Sequence, residues 1–361
     1  MTSILQLKNS FRFSNNNVYI VATISKNSYA PEKIEEILLA GADVLRYNFS
    51  HGDPAAMVER FRGAREVIGK LGLDKKVKLL ADLPGAKIRL GDFPRREHPV
   101  QEGEYFIFKS ASESPNPAEF VPINFPDIGT LVEINQMITL GDGEIAFEVV
   151  EIISPDSFRA RAQNTWHIPA LKGVNLTRGI DELDHFTEAT LAHLHNLNMI
   201  KPDWIAFSFV NGVQYLKRAK QLLQPYLHDL WQPQIVAKIE TPKGVENINE
   251  IAQEADIILV ARGDLGLLCP IEELGINQKK IIKAAKAAGK RVVVSTQILD
   301  SLMDWYIPKR SDILDLTNIV FDGADGIMLA KETGISHTPG RSVEMAKRII
   351  DTVEREKVFL I

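Results

Sequence analysis

The sequence has little cysteine, no excess of positive charge and no long apolar run. Its one cysteine, Cys269, excludes an internal disulfide and suits a reducing compartment. No apolar run approaches the roughly 20 residues of a membrane span, so we expect no membrane partner. The formal net charge of −5 provides no basic field for a polyanion, so we expect no nucleic acid partner. The amino-terminal stretch MTSILQLKNSFRFSNNN lacks a secretory signal pattern, which predicts a cytoplasmic protein.

What the sequence does contain is an alternation of short β-branched runs with stretches of helical spacing, which is typical of parallel strands covered by helices. The predicted strands span residues 18–25, 44–50, 76–84, 204–210, 234–240, 256–262, 291–297 and 325–331. Eight such strand–helix units are the number that a closed (β/α)₈ barrel requires. The sequence therefore predicts an α/β fold of the TIM-barrel type.

The alternation stops between residues 86 and 172. Turns rich in proline and glycine separate short alternating runs there, such as EYFIFK and IAFEVVEIIS, which predicts an inserted all-β domain. We therefore expect a barrel built from residues 1–85 and 173–361. Residues 86–172 would form a small hinged lid that follows the third strand.

Polar side chains concentrate at the carboxyl ends of the predicted strands, where the catalytic groups of such barrels lie. The fifth strand ends in Lys238 and Glu240, and the period of two places both on one side of that strand. Asp264 follows the adjacent strand, and two carboxylates on neighbouring strand ends suit Mg²⁺ or Mn²⁺. Gly263 and Gly266 allow a close approach of the backbone to an anion. A buried ion pair between Lys238 and nearby acids is the structural alternative.

Several motifs of the chain together resemble those of the pyruvate kinase family: RYNFSHG, AKIETPKGVENINEI, ILVARGDLG, VSTQILDSL and GADGIMLAKET. LGDGEIAF and KGVNL resemble that family's small lid domain, and the resemblance covers residues 18 to about 353. It implies an enzyme that acts on phosphoenolpyruvate, a small carboxylate with a phosphate group, through an enolate. The chain stops after the last barrel helix, so we expect no C-terminal regulatory domain. A homo-oligomer stays open.

Carried over residue by residue, the resemblance assigns roles to the matching positions of this sequence. It implies that Glu240 and Asp264 hold the divalent ion and that Lys238 stabilises the phosphoryl group in transfer. The backbone of Gly263 and Asp264 would bind the substrate carboxylate, and Thr296 would lie beside the enolate carbon. The other matching positions are Arg46 for substrate phosphate, Asn48, Ser50 and Asp82 for a monovalent cation such as K⁺, and His51, Arg89 and Lys172 for the nucleotide.

The departures from the family pattern fall on the nucleotide side, whereas the carboxylate, phosphate and metal side keeps its pattern. The departing positions are Ser25-Lys26 after the first strand, Leu83-Pro84-Gly85-Ala86 after the third, Val210-Asn211-Gly212 after the fourth, Ala330-Lys331 at the eighth, and Leu268 in place of an acid after Gly266. We therefore expect weaker binding of ADP than in an ordinary member of the family. Lys26 and Lys331 add positive charge that could replace a lost phosphate contact.

Three functions stay open at this point. The first is a pyruvate kinase proper, with ADP as the acceptor. The second is a paralogue that uses the same metal and enolate chemistry on a small 2-oxo acid, as a lyase, a decarboxylase or a phosphotransferase with a non-nucleotide acceptor. The third is a binding protein built on a decayed enzyme. The joint retention of Lys238, Glu240, Asp264 and Thr296 argues against it, since a decayed site should lose charged groups that are costly to hold near one another.

Overall fold

The computed structural model describes residues 18–50, 53–177, 179–227 and 231–360. Its first elements alternate as the sequence predicts. They are β1 (Tyr19–Ile24), α1 (Pro31–Leu39), β2 (Val44–Asn48), α2 (Pro54–Lys70) and β3 (Lys78–Leu83). Asp53 caps α2, because its side chain accepts a hydrogen bond from the backbone N–H of Ala56, and Pro54 suits the first helical position.

A smaller body of β-structure follows β3. Its strands are β4 (Glu97–Val100), β5 (Tyr105–Ser110), β6 (Val121–Ile123), β7 (Met137–Leu140), β8 (Ile145–Ser154), β9 (Ser157–Ala162), β10 (Trp166–Pro169) and β11 (Val174–Leu176). Six of them form one sheet in the order β11-β7-β8-β9-β5-β6, and β4 pairs with β10. Buried aromatic residues form its own core, in which the ring centroids of Phe108 and Phe158 lie 5.1 Å apart. The predicted insertion of an all-β unit after the third strand is confirmed.

The bounds of this unit, placed at 86 and 172 from the sequence, stay a prediction. β11 lies beyond 172 and still pairs with β7, and Gly173 forms a bridge with Arg89. Phe209 and Leu268, which come from the barrel part of the chain, pack into the same apolar cluster as the inserted sheet. The two parts therefore share a packed interface.

The barrel resumes after the insertion. Its elements are α3 (Glu188–Ile200), β12 (Trp204–Phe207), α4 (Val213–Leu223), β13 (Gln234–Ile239), α5 (Pro242–Glu246), α6 (Ile248–Glu254), β14 (Ile257–Ala261), α7 (Arg262–Leu268), α8 (Leu274–Ala287), β15 (Arg291–Ser295), α9 (Arg310–Phe321), β16 (Gly326–Leu329), α10 (Lys331–Gly334) and α11 (Pro339–Leu360). The parallel strands close in the order β1-β2-β3-β12-β13-β14-β15-β16, and β16 pairs with β1. This confirms the predicted α/β class and the eight-stranded barrel.

Two apolar layers hold the barrel together. One lies between the strands and the surrounding helices, and the other fills the barrel interior with side chains such as Val44, Leu80 and Val236. A filled interior makes the barrel a rigid support rather than a pore, so the carboxyl ends of its strands hold their positions. None of the described helices has the length and apolar character needed to cross a bilayer.

Candidate active site

A layer of polar side chains lies directly above the apolar interior, and the two-residue period of the strands explains it. Val44 of β2 belongs to the interior cluster, so Arg46, two residues later, points to the same side. On β13, Val236 likewise belongs to the interior cluster, and Lys238, two residues later, points to the same side. Other strands add Thr23 after Val21, Asp82 after Leu80 and Ser208 after Ala206. Parallel strands thus bring these polar groups together at one end of the barrel.

A buried row of alternating charge, which we call the floor cluster, consists of Arg46, Asp82 and Lys238 from this layer together with Glu240, the residue after β13. Arg46 Nη2 lies 2.7 Å from Asp82 Oδ2. Lys238 Nζ lies 3.1 Å from Asp82 Oδ1 and 3.1 Å from Glu240 Oε1. Lys238 also donates to Ser208 Oγ at 2.8 Å. The ion pair expected as the structural alternative is therefore present, and two positive charges balance two negative ones.

The pKa shifts of this cluster follow from burial and from its mutual charges. Burial alone would raise the pKa of Asp82, yet Lys238 and Arg46 hold it below its usual value. Burial would lower the pKa of Lys238, and Asp82 and Glu240 raise it instead. Burial raises the pKa of Glu240, which Lys238 opposes and the nearby Asp264 carboxylate increases further. The lysine is thus kept as an ammonium group in a buried position.

A cavity of about 470 Å³ opens at the carboxyl ends of the strands. Its wall brings together five of the predicted site residues, namely Arg46, Asn48, Gly263, Asp264 and Thr296. Among the predicted residues that the structure describes, Asp82, Lys238, Glu240, Ser50, Arg89 and Lys172 are not part of this wall. His51 lies outside the described residues. Arg46 belongs to both the wall and the floor cluster, so the cluster lies next to the cavity.

Two ion pairs lie at the mouth of the cavity, and we call them the rim pairs. Lys87 Nζ lies 2.7 Å from Asp264 Oδ1, and Lys331 Nζ lies 2.9 Å from Asp142 Oδ2. The hydrogen bond from Lys331 is the main reason that the pKa of Asp142 lies below its usual value. Asp142 belongs to the turn between β7 and β8, so the second pair joins the inserted sheet to the barrel.

The loop that carries Thr296 has an unusual backbone. Thr296 and Gln297 have positive φ angles of 78° and 53°, which residues with a Cβ rarely adopt. The guanidinium of Arg262 donates to the carbonyl oxygens of Ser295, Thr296 and Gln297, at 2.6 Å for the shortest of these bonds. A Cβ on Gly263 would lie 3.2 Å from Thr296 Cγ2, so glycine there allows the close approach. Arg262 thus holds this loop in place.

A family profile described as "Pyruvate kinase, barrel domain" matches residues 15–343. The chain belongs to the pyruvate kinase family. The pyruvate kinase of Thermococcus litoralis is 34% identical over 94% of this chain and 70% of its own length. That of Methylorubrum extorquens is 32% identical over 94% of this chain and 69% of its own length.

A solved structure supports the same assignment. The crystal structure of a pyruvate kinase from Cryptosporidium parvum superposes with a TM-score of 0.86 at 26% identity, covering 98% of this chain and 71% of that one. The predicted resemblance is therefore confirmed, as is the prediction of a pyruvate kinase-like phosphotransferase. The roles of single residues stay predictions.

Sequence reasoning gave no role to several residues that shape this pyruvate kinase-like site. Phe209, with a φ of 56°, donates its backbone N–H to Glu240 Oε2 at 2.7 Å. A Cβ on Gly85 would lie 2.5 Å from the Phe209 ring, so this glycine is required by the packing. Glu332 is fully buried and accepts hydrogen bonds from the backbone of Ile298 and Ala330, which ties two loops together. Of these three residues, only Gly85 is of a type that by itself marks a turn in the sequence.

Glu240 and Asp264 could hold the divalent cation that the family implies. Their carboxylate oxygens are the hard ligands that Mg²⁺ and Mn²⁺ prefer, and Asp264 is near enough to raise the pKa of Glu240. Each Glu240 oxygen makes one hydrogen bond or ion pair and so keeps a free lone pair. Within the described part of the chain, no group of three or more His, Cys, Asp or Glu side chains is arranged for a metal. The protein would supply two ligands, with substrate or water as the others.

Proposed function

We propose that this chain transfers a phosphoryl group from phosphoenolpyruvate to an anionic acceptor, with ADP as the first candidate. The observation that carries the proposal is the floor cluster, in which Lys238 is held between Asp82 and Glu240 beside the cavity. Phosphoryl transfer needs positive charge fixed where negative charge develops. A buried ammonium with fixed partners supplies that charge without reorganisation. We assign Lys238 to the phosphoryl oxygens.

In the proposed reaction, the bond between phosphorus and the enol oxygen breaks and the acceptor oxygen forms a new bond to phosphorus. The electron pair stays on the enol oxygen, and the resulting enolate of pyruvate takes up a proton at its methylene carbon. We assign Thr296 to the neighbourhood of this carbon; its Oγ1 lies 3.4 Å from Ser295 Oγ. The backbone of Gly263 and Asp264 would bind the substrate carboxylate, and Arg46 would face the phosphate.

We assign Glu240 and Asp264 as the protein ligands of Mg²⁺ or Mn²⁺. A divalent cation bound there supplies positive charge to the oxygens of the substrate. The monovalent site has less support. Both oxygens of Asp82 already pair with Arg46 and Lys238, and Asn48 Oδ1 accepts the backbone N–H of Ser50 at 2.9 Å. A K⁺ ion at these residues stays part of the proposal and is tested by the ion dependence of the reaction.

The acceptor is the open part of the proposal. Arg89 and Lys172 are our candidates for contacts with the nucleotide, together with His51. Lys331, which pairs with Asp142, occupies one of the positions that depart from the family, so a second candidate function with another acceptor stays open. In that case the same metal and enolate site would serve a lyase, a decarboxylase or a phosphotransferase without ADP.

We also propose that the inserted sheet acts as a hinged lid. This predicts that a protease cleaves the chain first near residues 86 and 172.

The decisive experiment incubates the protein with phosphoenolpyruvate and Mg²⁺, with and without ADP and K⁺, and follows the products by phosphorus NMR. Formation of both pyruvate and ATP supports the first function. Consumption of phosphoenolpyruvate without ATP favours the second one. No consumption under any of these conditions contradicts the first function, the transfer of the phosphoryl group to ADP.

The metal assignment has its own test. Glu240→Gln is expected to abolish the Mg²⁺-dependent binding of oxalate, a planar mimic of the enolate, because a ligand oxygen and its charge are lost. Asp43→Asn is the control, since Asp43 is a partly buried carboxyl that accepts a hydrogen bond from the backbone N–H of Ile20, before the start of β2 and away from the cavity. Calorimetry measures both variants. Unchanged oxalate and Mg²⁺ affinity in Glu240→Gln would show that the metal binds elsewhere.

A further inference from the structure

The contact between Lys331 and Asp142 is the place where the inserted sheet and the eighth strand end meet at the cavity. Both residues line the cavity wall, and the Nζ to Oδ2 distance is 2.9 Å. Asp142 lies in the turn between β7 and β8, flanked by Gly141 and Gly143, whose φ angles are 67° and 95°. A Cβ on Gly143 would lie 3.1 Å from Leu267 of α7, so the turn is seated against the barrel.

Charges of both signs surround this turn: the carboxylates of Asp142, Asp300 and Glu144 all attract Lys331 and raise its pKa. Lys331, Lys172 and Lys87 all lower the pKa of Asp142, in that order of strength. Lys87 has a partner of its own in Asp264, whereas Asp142 is the acid that pairs with Lys331. The side chains of Lys331 and Asp142 are 51% and 70% exposed, so water screens their attraction and the pair contributes little stability. Because Asp300 and Glu144 also attract this lysine, a ligand needs more than one negative charge to displace Asp142 from it.

We propose that Lys331 selects the acceptor by charge: its ammonium group exchanges the Asp142 carboxylate for a phosphate group of the acceptor. The inference rests on the proposed function and adds a specificity-determining residue to it. An acceptor with a diphosphate group gains the Lys331 contact and repels Asp142, whereas a neutral acceptor leaves the Lys331–Asp142 pair intact. The class of acceptor favoured by this arrangement carries at least two negative charges near the cavity mouth.

Two variants test the exchange because they act in opposite directions. Lys331→Met keeps the alkyl stem and removes the charge, and Asp142→Asn removes the competing carboxylate at nearly constant size. The probes are inorganic diphosphate, ADP and uncharged adenosine, each titrated by calorimetry in the presence of Mg²⁺ and oxalate. Lys331→Met is expected to weaken diphosphate and ADP about 5- to 10-fold, and Asp142→Asn to tighten both several-fold. Adenosine and oxalate affinities are expected to stay unchanged.

Lys286→Met is the matched control. Lys286 pairs with Asp325 at 2.6 Å with a similarly exposed ammonium group, at the amino-terminal end of β16 and therefore away from the cavity. It is expected to leave every affinity unchanged. An unchanged diphosphate affinity in Lys331→Met would overturn the inference. So would an equal weakening in both single variants with no further loss in the double variant, because the pair would then only hold the turn in place. The proposed function fails on another readout, the absence of pyruvate formation by the unaltered chain.

Discussion

The floor cluster and the rim pairs use the same chemistry at similar distances, and they differ in exposure to water. The floor distances are 2.7 to 3.1 Å, and the side chains there are 2% to 11% exposed. The rim distances are 2.7 and 2.9 Å, and the side chains there are 26% to 70% exposed. The attraction between two charges weakens as the medium around them becomes more polar, so a buried pair interacts more strongly than an exposed pair of the same length. Ion pairs of equal length are therefore far from equal in strength.

This difference suggests a division of labour between the two regions. Breaking a floor pair would leave a charge buried without a partner, so the floor cluster keeps one arrangement. A rim pair can open at little cost, because water solvates each partner. The buried charges proposed for the phosphoryl step are thus fixed, whereas the Lys331–Asp142 pair, which we propose for the acceptor, is free to exchange partners.

The strongest test of this comparison removes the charge in the middle of the floor. Lys238→Met leaves Asp82 and Glu240 buried without their shared cation. We expect turnover to fall by at least about 10³-fold and the free energy of unfolding to fall by about 3–5 kcal/mol. Kinetics with phosphoenolpyruvate and urea unfolding at pH 7.5 measure the two effects. A fully active variant would contradict the assignment of Lys238, and unchanged stability would contradict the claim that the floor is tightly held.

His185, which packs next to the floor cluster, predicts that the stability of the fold depends on pH, with an effect of intermediate size. His185 stacks on Phe209, whose backbone holds Glu240, and burial lowers the pKa of His185 from 6.5 to about 4. Because the unfolded state takes up the proton first, stability is complete above about pH 6.5 and declines as the pH falls toward 4. We expect a loss of about 2 kcal/mol between pH 7.5 and pH 5 from this residue.

His185→Gln removes that titration and keeps a hydrogen-bond donor for the Ile180 carbonyl, which His185 Nε2 contacts at 3.1 Å. Urea unfolding of both proteins at pH 7.5 and pH 5 isolates the contribution of the histidine. The variant is expected to lose less stability than the unaltered chain over this interval. An identical loss in both proteins would mean that His185 does not couple folding to protons.

Between the floor and the rim, Arg262 holds the loop of Thr296, and its exchange should have a smaller effect. Arg262→Lys keeps the positive charge but loses the planar guanidinium group, whose nitrogens donate to consecutive backbone carbonyls and to Asp315. We expect turnover to fall about tenfold, which corresponds to about 1.4 kcal/mol, with an unchanged affinity for oxalate and Mg²⁺. Asp315→Asn keeps the guanidinium group of Arg262 and weakens its contact with residue 315. Its turnover is expected to lie between those of Arg262→Lys and the unaltered chain. A large loss of oxalate affinity in Arg262→Lys would instead point to a general collapse of the cavity.

Much of this architecture could be predicted from the sequence, because the strand ends of a parallel barrel are local features. The period of two placed Lys238 and Glu240 on one side, and the structure has them paired at 3.1 Å. The order of strands and helices, and the insertion after the third strand, followed from changes in hydrophobic periodicity. The strands are shorter than predicted at several ends, such as Trp204–Phe207 against 204–210. Phe209 and Val210 are buried residues of strand-like type, but Phe209 has a φ of 56°, which ends the strand.

The contacts between distant parts of the chain could not be predicted in this way. Lys331 and Asp142 are 189 positions apart, and Lys87 and Asp264 are 177 apart. Both pairs depend on how the inserted sheet packs on the barrel, for which no local pattern exists. The same holds for Arg262, whose partners are the carbonyl groups of a loop with left-handed residues. Hydrogen bonds from a side chain to backbone oxygens cannot be predicted from the spacing of residue types, because every residue has a carbonyl oxygen.

The smallest predicted effect separates binding from stability at the rim. Lys331→Met is expected to change the free energy of unfolding by less than about 1 kcal/mol, because exposed ion pairs gain little over solvated charges. Urea unfolding at low and at high salt measures it, and added salt should reduce even that small difference. The change in the free energy of unfolding is to be compared with that of Lys238→Met, because the ion pairs of Lys238 have similar lengths but are buried. A loss of several kcal/mol on Lys331→Met would mean that the inserted sheet depends on this contact for its position. The rim would then be as fixed as the floor, and the exchange of Asp142 for an acceptor phosphate would be too costly to occur.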